Sequence, residues 1–162
     1  VLTLPNNFYI WATMNTSDQS LFPIDSAFKR RWDWKYMPID TQKENWKIEV
    51  NGQKYSWTTF LEKVNKQIFD VTKSEDKKLG FYFCRANNHV VDAEKFVGKV
   101  IFYLYNDVFK DYGYDRKIFQ GEDGKTIQFH EYFQSNGDIN EQKAALFLNN
   151  LEINPIGENN VE

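Results

Sequence analysis

The sequence predicts the α/β class, and for this chain by itself α+β: a short strand–helix–strand unit precedes a mostly helical region with short β-hairpins. Three observations predict this. The run Phe8–Ala12 is continuously apolar and rich in β-formers, which is typical of a strand covered on both faces. Residues 96–108 carry one apolar stripe at helical spacing. Asn-Gly at 51–52 and Asp-Gly at 123–124 lie between β-prone arms and indicate hairpins.

The first unit is predicted to span residues 1–40. After the first strand and a polar loop, a short helix is expected, with Pro23 in its first turn and a basic cluster in its last, where cations complement the helix dipole. Trp32–Met37 alternates apolar and charged residues like a half-exposed strand, which Pro38 ends. Because a strand buried on both faces needs neighbours, we expect further strands upstream in a longer protein.

The second region, residues 41–154, is predicted to begin with a hairpin over Ile48–Tyr55. A helix follows, capped by Ser56 or Thr58. A charged connector, Lys73–Lys78, then leads to the short apolar segment Leu79–Phe83. The apolar residues that recur at helical spacing in the first helix are Phe60, Leu61, Val64 and Ile68.

The clearest helix comes next, with Asp92 as its predicted cap. A second hairpin is predicted to pair Lys117–Gln120 with Thr126–Phe129. A last helix is predicted to open at Asp138, with Glu141 at capping-box spacing. Residues 155–162 are expected to form a flexible tail. The stripe of the clearest helix consists of Phe96, Val97, Val100, Ile101, Leu104, Tyr105 and Val108.

Composition limits the function classes. The 20 Lys and Arg residues against 23 Asp and Glu give a net charge of −3, so the chain as a whole has no basic field for nucleic acid or an anionic membrane surface. One cysteine, Cys84, allows no internal disulfide, and with His89 and His130 it makes no usual zinc set, so no metal site is predicted. No apolar run approaches the roughly 20 residues of a spanning helix, and no signal peptide opens the chain. We therefore expect a cytoplasmic protein.

One motif resembles part of a nucleotide-binding loop but does not match the full pattern. Gly124-Lys125-Thr126 resembles the end of a P-loop, but Phe119 stands where that motif needs its first glycine. Glu122 and Asp123 would also repel a phosphate. The sequence favours a hairpin turn here instead.

The polar stretch after the first strand contains the first candidate site residues. At the carboxyl end of a parallel strand, Asn15 would face the crevice where open α/β sheets bind ligands. Its carboxamide could position a γ-phosphate and an attacking water, and Asp18 could orient a water or a basic group. Alternatively, both residues cap the next helix or form an Asx turn.

Arg30 and Arg31 can likewise be interpreted either as functional or as structural residues. Two guanidinium groups at the end of a short helix could reach a nucleotide on an adjacent subunit and stabilise charge during phosphoryl transfer. They could equally be partners of the helix dipole on a solvated surface. Their spacing alone does not distinguish the two roles.

Residues 4–34 closely resemble the sensor-one strand and arginine-finger segment of McrB-type AAA+ NTPases, the GTP-hydrolysing motors of methylcytosine-specific restriction systems. The family pattern is L-P-x-N, a hydrophobic residue and Y-I-I-G-T-M-N-T-A-D-R-S, followed by a short helix that contains an Asp and ends in R-R-R-F. By this resemblance Asn15 is the sensor-one residue, Asp18 and Asp25 match the two family aspartates, and Arg30 and Arg31 match the last two arginines. This sequence reads L-P-N-N-F-Y-I-W-A-T-M-N-T-S-D-Q-S-L-F-P-I-D-S-A-F-K-R-R-W-D-W.

The chain departs from the family pattern at Trp11-Ala12, Gln19, Lys29 and Trp32, where the family has Ile-Gly, Arg, Arg and Phe. The Gln19 difference removes the basic group that the family carries there. Residues 78–83 and 96–112 resemble the family's helical lid, which carries a sensor-two basic residue over the nucleotide. Lys78 and Arg85 are the candidates for that residue, and the alternative for each is a solvated charge beside a loop.

The family's P-loop and magnesium-binding strand precede the sensor-one strand and are not in this sequence. The resemblance therefore implies the C-terminal portion of a AAA+ NTPase, inactive and without bound nucleotide by itself. The complete protein would use GTP or ATP with Mg²⁺. By the same resemblance it would form a hexameric ring, work with an McrC-type nuclease subunit and contact DNA through other domains.

Two other functions fit parts of the sequence. The first is a non-catalytic protein-interaction module, because the 14 Phe, 9 Tyr and 5 Trp residues could supply both an aromatic core and an exposed binding patch. The second is single-strand nucleic-acid binding by stacked aromatics, which the net charge of −3 disfavours. A P-loop upstream of Val1 would distinguish the NTPase from the module.

Overall fold

A computed structural model describes residues 3–13, 25–39, 44–114 and 117–157, and the chain divides into two units, Val1–Met37 and Pro38–Glu162. The described part is mixed α and β, with several helices and one three-stranded sheet, in agreement with the α+β prediction. Across these residues, no helix combines the length and apolar character needed to cross a membrane.

The described part of unit 1 contains the predicted short helix, α1 (Ser26–Lys29), but with different bounds. Asp25 caps it, so the helix begins after Pro23, and only Lys29 of the basic cluster lies in its last turn. The two predicted strands are wrong. Residues 8–13 and 33–39 have no regular secondary structure. A strand requires a neighbour to pair its backbone groups, and neither segment has one among the described residues.

Unit 2 opens with the predicted hairpin. Strands β1 (Lys47–Val50) and β2 (Gln53–Ser56) pair antiparallel, with Ile48 opposite Tyr55. The turn residues Asn51 and Gly52 have φ values of 53° and 70°, the left-handed conformation that a type I′ turn requires. A third strand, β3 (Val90–Val91), pairs parallel with β1 and was not predicted, because two residues are too short to show a period.

Helix α2 (Trp57–Thr72) begins at the predicted cap, since the Ser56 hydroxyl accepts a hydrogen bond from the Thr59 N–H at 3.2 Å. It ends at Lys73, whose left-handed backbone (φ 54°) lets its N–H bond to the Phe69 carbonyl. The residues that α2 buries are Trp57, Phe60, Leu61, Val64, Asn65 and Ile68, including the whole predicted stripe.

The clearest predicted helix is confirmed over residues 93–108, but much of it has wider turns. It starts as α3 (Ala93–Lys95), capped by Asp92, and continues as two π-helical stretches, Phe96–Ile101 and Leu104–Val108. The N–H of Phe109 donates to the Leu104 carbonyl, five residues back, at 2.9 Å. Every residue of the predicted stripe is buried.

The spacing of the buried residues explains the wider turns. The buried rows are Phe96, Val100, Leu104, Val108 and Val97, Ile101, Tyr105, Phe109, each with a strict interval of four. In an α-helix of 3.6 residues per turn, such a row drifts by about 40° at each step. The π-turns hold more residues per turn and correct the drift, so both rows face the core.

The predicted second hairpin is only partly formed. Gln120 and Thr126 make a single antiparallel bridge around the Asp123-Gly124 turn, and Gly124 has φ 75°. The expected arms instead form 3₁₀ turns at Lys117–Phe119 and Phe129–Tyr132. The turn that the sequence favoured at this position is therefore present.

The last helix, α4 (Glu141–Asn150), exists, but its predicted cap is wrong. Asn140, not Asp138, accepts from the Lys143 N–H at 3.3 Å, and Asp138 bonds to Asn136 in the preceding turn. The capping box lies elsewhere, between Gln128 and Glu131. Of the predicted tail, residues 158–162 lie outside the described part.

The core of unit 2 is aromatic. Phe96 lies 5.3 Å from Phe60 and 6.2 Å from Phe147 between ring centroids, while Phe119 contacts Phe147 and Phe109. These pairs join α2, the helical residues 93–108 and α4 into one continuous cluster.

Candidate functional site

The arginine segment of unit 1 is held locally at both ends of α1. The Asp25 carboxylate accepts a hydrogen bond from the Phe28 N–H at 2.6 Å. The Trp34 indole N–H donates to the Lys29 carbonyl at 3.0 Å. Phe28 and Trp32 also contact each other, with ring centroids 5.9 Å apart. These contacts stabilise a helix that is otherwise too short to persist on its own propensity.

The two predicted arginines lie directly after α1, and both are exposed. The Arg30 Nε donates to the Ser26 carbonyl at 3.3 Å, which ties that side chain back to its own helix. Arg31 makes no ion pair with any described residue. Both guanidinium groups therefore keep donors with which to bind a carboxylate or a phosphate.

Asn15 and Asp18 lie outside the described residues, as does Gln19. Their assigned roles remain predictions. Asp25, which the sequence placed on the helix, serves as its N-cap.

The two sensor-two candidates differ in their surroundings. The Lys78 ammonium lies 2.8 Å from a Glu75 carboxylate oxygen and 4.8 Å from the centroid of the Phe69 ring. Arg85 is exposed and has no ion pair within the described ranges. Lys78 is thus already engaged, whereas Arg85 keeps its donors.

Hydrogen bonds from Asn65 and Trp57 of α2, which the sequence analysis missed, hold the segment between the two candidates. The contact of Asn65 with Leu79 is called the Asn65 clip. The Asn65 side chain accepts from the Leu79 N–H at 2.7 Å and donates to the Leu79 carbonyl at 2.9 Å. The Trp57 indole N–H donates to the Phe81 carbonyl at 2.9 Å. Helix α2 therefore fixes the backbone at Leu79 and Phe81, in the segment between Lys78 and Arg85. The available signal was a polar residue, Asn65, inside an apolar stripe.

Burial favours the protonated forms of two reactive groups of unit 2, the Cys84 thiol and the Tyr132 hydroxyl. Burial raises the pKa of the Cys84 thiol, which opposes the thiolate that a nucleophile or metal ligand needs. Burial likewise raises the pKa of Tyr132, whose hydroxyl has no hydrogen-bond partner among the described atoms. Across the described residues, no three His, Cys, Asp or Glu side chains gather in a group that could hold a metal.

Comparison with known proteins gives one relative. The chain is 35% identical over 117 residues to the Type II restriction enzyme BsuMI component YdiS of Bacillus subtilis (strain 168). The aligned region covers 68% of this chain and 34% of that protein, so the chain spans about a third of the relative's length. No protein-family model and no solved structure matches the chain. The chain is therefore a homologue of a restriction enzyme component.

Proposed function

We propose that the chain is the C-terminal portion of a AAA+ NTPase subunit that drives a DNA restriction complex. Two findings support the proposal: the resemblance of residues 4–34 to the McrB-type motor segment, and the similarity to a restriction enzyme component. In this proposal residues 1–40 end the catalytic core and residues 41–154 form the lid.

The observation that carries the proposal is the exposed arginine pair after α1. Asp25 and Trp34 hold the helix ends at 2.6 and 3.0 Å, so the pair projects from a braced segment. A preorganised guanidinium acts on developing phosphoryl charge without reorganising during the reaction. Arg31 is assigned the contact with a nucleotide of the adjacent subunit, and Arg30 supports it.

The remaining parts of the motor follow from the same proposal. GTP or ATP with Mg²⁺ would be held by a P-loop elsewhere in the complete protein, with Asn15 positioning the attacking water and Asp18 orienting its neighbours. Lys78 or Arg85 would act as sensor two. Because an arginine in trans completes each site, the subunits would form a ring, here a hexamer. An McrC-type nuclease would be the partner, and DNA would be bound through other domains.

The test is GTP and ATP hydrolysis by the full-length protein over a range of protein concentrations. Specific activity should rise with concentration, since sites form between subunits. The double change Arg30→Ala and Arg31→Ala should lower turnover by about a thousandfold, the scale of a lost arginine finger. Lys35→Ala, which removes an exposed charge of the same unit, is the matched control and should leave turnover unchanged.

Two further variants separate the roles. Asn15→Ala should abolish turnover while nucleotide binding is retained, because it removes positioning and not affinity. Subunits with Arg31→Ala, mixed with subunits defective in the P-loop, should recover partial activity. Normal turnover in the double arginine variant would overturn the proposal.

The second candidate function is a non-catalytic protein-interaction module. It is favoured by the exposed apolar side chains of unit 1, where Trp11 is 87% and Tyr36 78% exposed. The absence of hydrolysis of either nucleotide at every concentration, with and without a nuclease partner, would select this function.

A further inference from the structure

A cavity of about 490 Å³ lies on unit 2, between the residues that precede β1 and the two turns on either side of Arg85. The side chains that matter here are Glu44, Trp46, Tyr82, Arg85, Asn88 and His89. All of them belong to unit 2. Arg85 is also one of the two sensor-two candidates, so assigning it to this cavity leaves that role to Lys78.

Tyr82 forms the aromatic wall of this cavity. It is 61% exposed, yet it is held by two edge-type contacts, with ring centroids 5.5 Å from Trp46 and 5.1 Å from Phe81. Phe81 is itself fixed through its carbonyl, which accepts the Trp57 indole N–H. The phenol ring is thus positioned in advance and remains open for stacking by a planar group.

Arg85 and His89 supply donors beside that ring. Arg85 has no ion pair with a described residue, so its planar guanidinium can bind an anion through two hydrogen bonds. The His89 Nδ1 lies 3.8 Å from a Glu44 carboxylate oxygen, which also accepts the Trp46 indole N–H. The Glu44 carboxylate is therefore already bonded to the Trp46 indole and lies within ion-pair distance of His89.

The backbone under His89 gives an independent indication. Asn87 and Val90 exchange two hydrogen bonds of 2.8 and 2.9 Å, and the residues between them, Asn88 and His89, have φ values of 48° and 64°. This is a type I′ turn, whose second central position favours glycine. A histidine there costs conformational energy, and such strain is typical of functional positions.

We propose that this cavity binds one nucleotide of a single-stranded nucleic acid, with the base stacked on Tyr82 and the phosphodiester bound by Arg85 and His89. Every base offers a π face, and aromatic stacking of this kind is tolerant of sequence. Arg85 provides one permanent positive charge, which matches one phosphodiester but not the several charges of a triphosphate. The negative charge of the whole chain limits the site to weak binding with one phosphate contact.

The test titrates the full chain into a fluorescein-labelled thymidine decanucleotide and follows fluorescence anisotropy. The dissociation constant should lie near 10⁻⁴ M, and the slope of log K against log salt should be about −0.7, the value for one phosphate on a single strand. Tyr82→Ala should weaken binding about tenfold, and Tyr82→Phe should not, because it keeps the ring.

The charge variants complete the test. Arg85→Ala should weaken binding about tenfold, whereas Lys125→Ala, which removes an equal charge from an 85% exposed side chain outside this cavity, should not. His89→Gly should weaken binding while raising the melting temperature by about 2 °C, since glycine relieves the turn.

Several outcomes would overturn the proposal. These are no binding of the decanucleotide up to 1 mM, equal losses in Tyr82→Ala and Tyr82→Phe, or no difference between Arg85→Ala and Lys125→Ala. Displacement of the strand by stoichiometric GTP or ATP would show that a free nucleotide occupies the cavity, and would assign Arg85 to the motor site instead.

Discussion

Units 1 and 2 differ in how their apolar side chains are covered. In unit 1, no described residue is buried, and Trp11, Tyr9 and Met37 are at least 75% exposed. In unit 2, large rings such as Phe60, Phe96 and Phe147 are fully buried. Yet unit 1 carries the denser family resemblance. The residues on which the proposed function rests are therefore not those that stabilise this chain.

This contrast has a physical explanation. Helix α1 is held by local contacts, among them the hydrogen bonds of Asp25, Trp34 and Arg30 and the contact between the Phe28 and Trp32 rings. Unit 2 is held by contacts between distant segments, such as Phe60 with Phe96 and Phe96 with Phe147. Local contacts preserve the shape of a motif, whereas a core requires segments that are far apart in sequence. The apolar side chains of unit 1 remain available for another surface.

The largest expected effect is the loss of stability when a buried ring of unit 2 is removed, compared with the removal of an exposed ring of unit 1. Phe96→Ala should destabilise the chain by about 3–5 kcal/mol, because it opens a cavity between Phe60 and Phe147. Trp11→Ala should change stability by less than about 0.5 kcal/mol, because the ring is already exposed. Urea denaturation of both variants measures the difference. Equal losses would mean that unit 1 contributes to the same core.

A second change breaks the clip between α2 and residue 79. Asn65→Ala should cost about 2–3 kcal/mol, because it leaves the buried N–H and carbonyl of Leu79 without partners. Asn106→Ala is the matched control, since that exposed amide bonds to one carbonyl within its own helix. Hydrogen exchange at the Leu79 amide should accelerate in Asn65→Ala only. Unchanged exchange would contradict the clip.

A third change should stabilise unit 2. Tyr132→Phe removes a buried hydroxyl that lacks a partner among the described atoms, and should gain about 1 kcal/mol. Because burial raises the pKa of Tyr132, the folded state keeps a proton that the unfolded state releases near pH 10. Wild-type stability should therefore fall above that pH, and the advantage of the variant should grow. An advantage that is independent of pH between 8 and 11 would contradict this account.

The smallest effect concerns the capping box of unit 2. The hydrogen bond from Lys143, 2.6 Å long, and the Gln128 N–H lower the pKa of Glu131. Stability from this carboxylate is present above its ordinary pKa and is lost as the pH falls below it. Because the pair is partly exposed, Glu131→Gln should cost only about 0.5 kcal/mol at pH 7. The cost should shrink as the pH falls through the lowered pKa of Glu131, as denaturation at neutral and acid pH would show.

The sequence predicted unit 2 better than unit 1, for identifiable reasons. Asn51-Gly52, Ser56 and Asp92 act through local backbone chemistry, so their turn and caps could be predicted from the residues. The stripe over residues 96–108 was also correct, because burial follows the apolar pattern. The predicted strands of unit 1 failed because an apolar run does not reveal whether a pairing partner exists.

The missed features depend on contacts between distant segments. Strand β3 forms only because the hairpin offers β1 as a partner. The Asn65 clip joins residues 14 positions apart, and the Asn140 cap displaced an equally plausible cap at Asp138. Of the candidate site, the position of the arginine pair at the end of a short helix was predicted, but Asp25 was expected on the helix and not as its cap. The His89 turn could not, since its position favours glycine.

The π-helical stretches also have a consequence for how another helix could pack on their outer face. In an α-helix, rows of side chains four apart are inclined by about 26° to the axis, and this inclination sets the usual crossing angles. Between Phe96 and Val108 the buried rows repeat every four residues without drifting, so the outward row through Gly98, Phe102 and Asn106 must run nearly along the axis. A helix whose own four-residue rows pack against that row would therefore cross it at about −26°, between the two common packing classes near −50° and +20°.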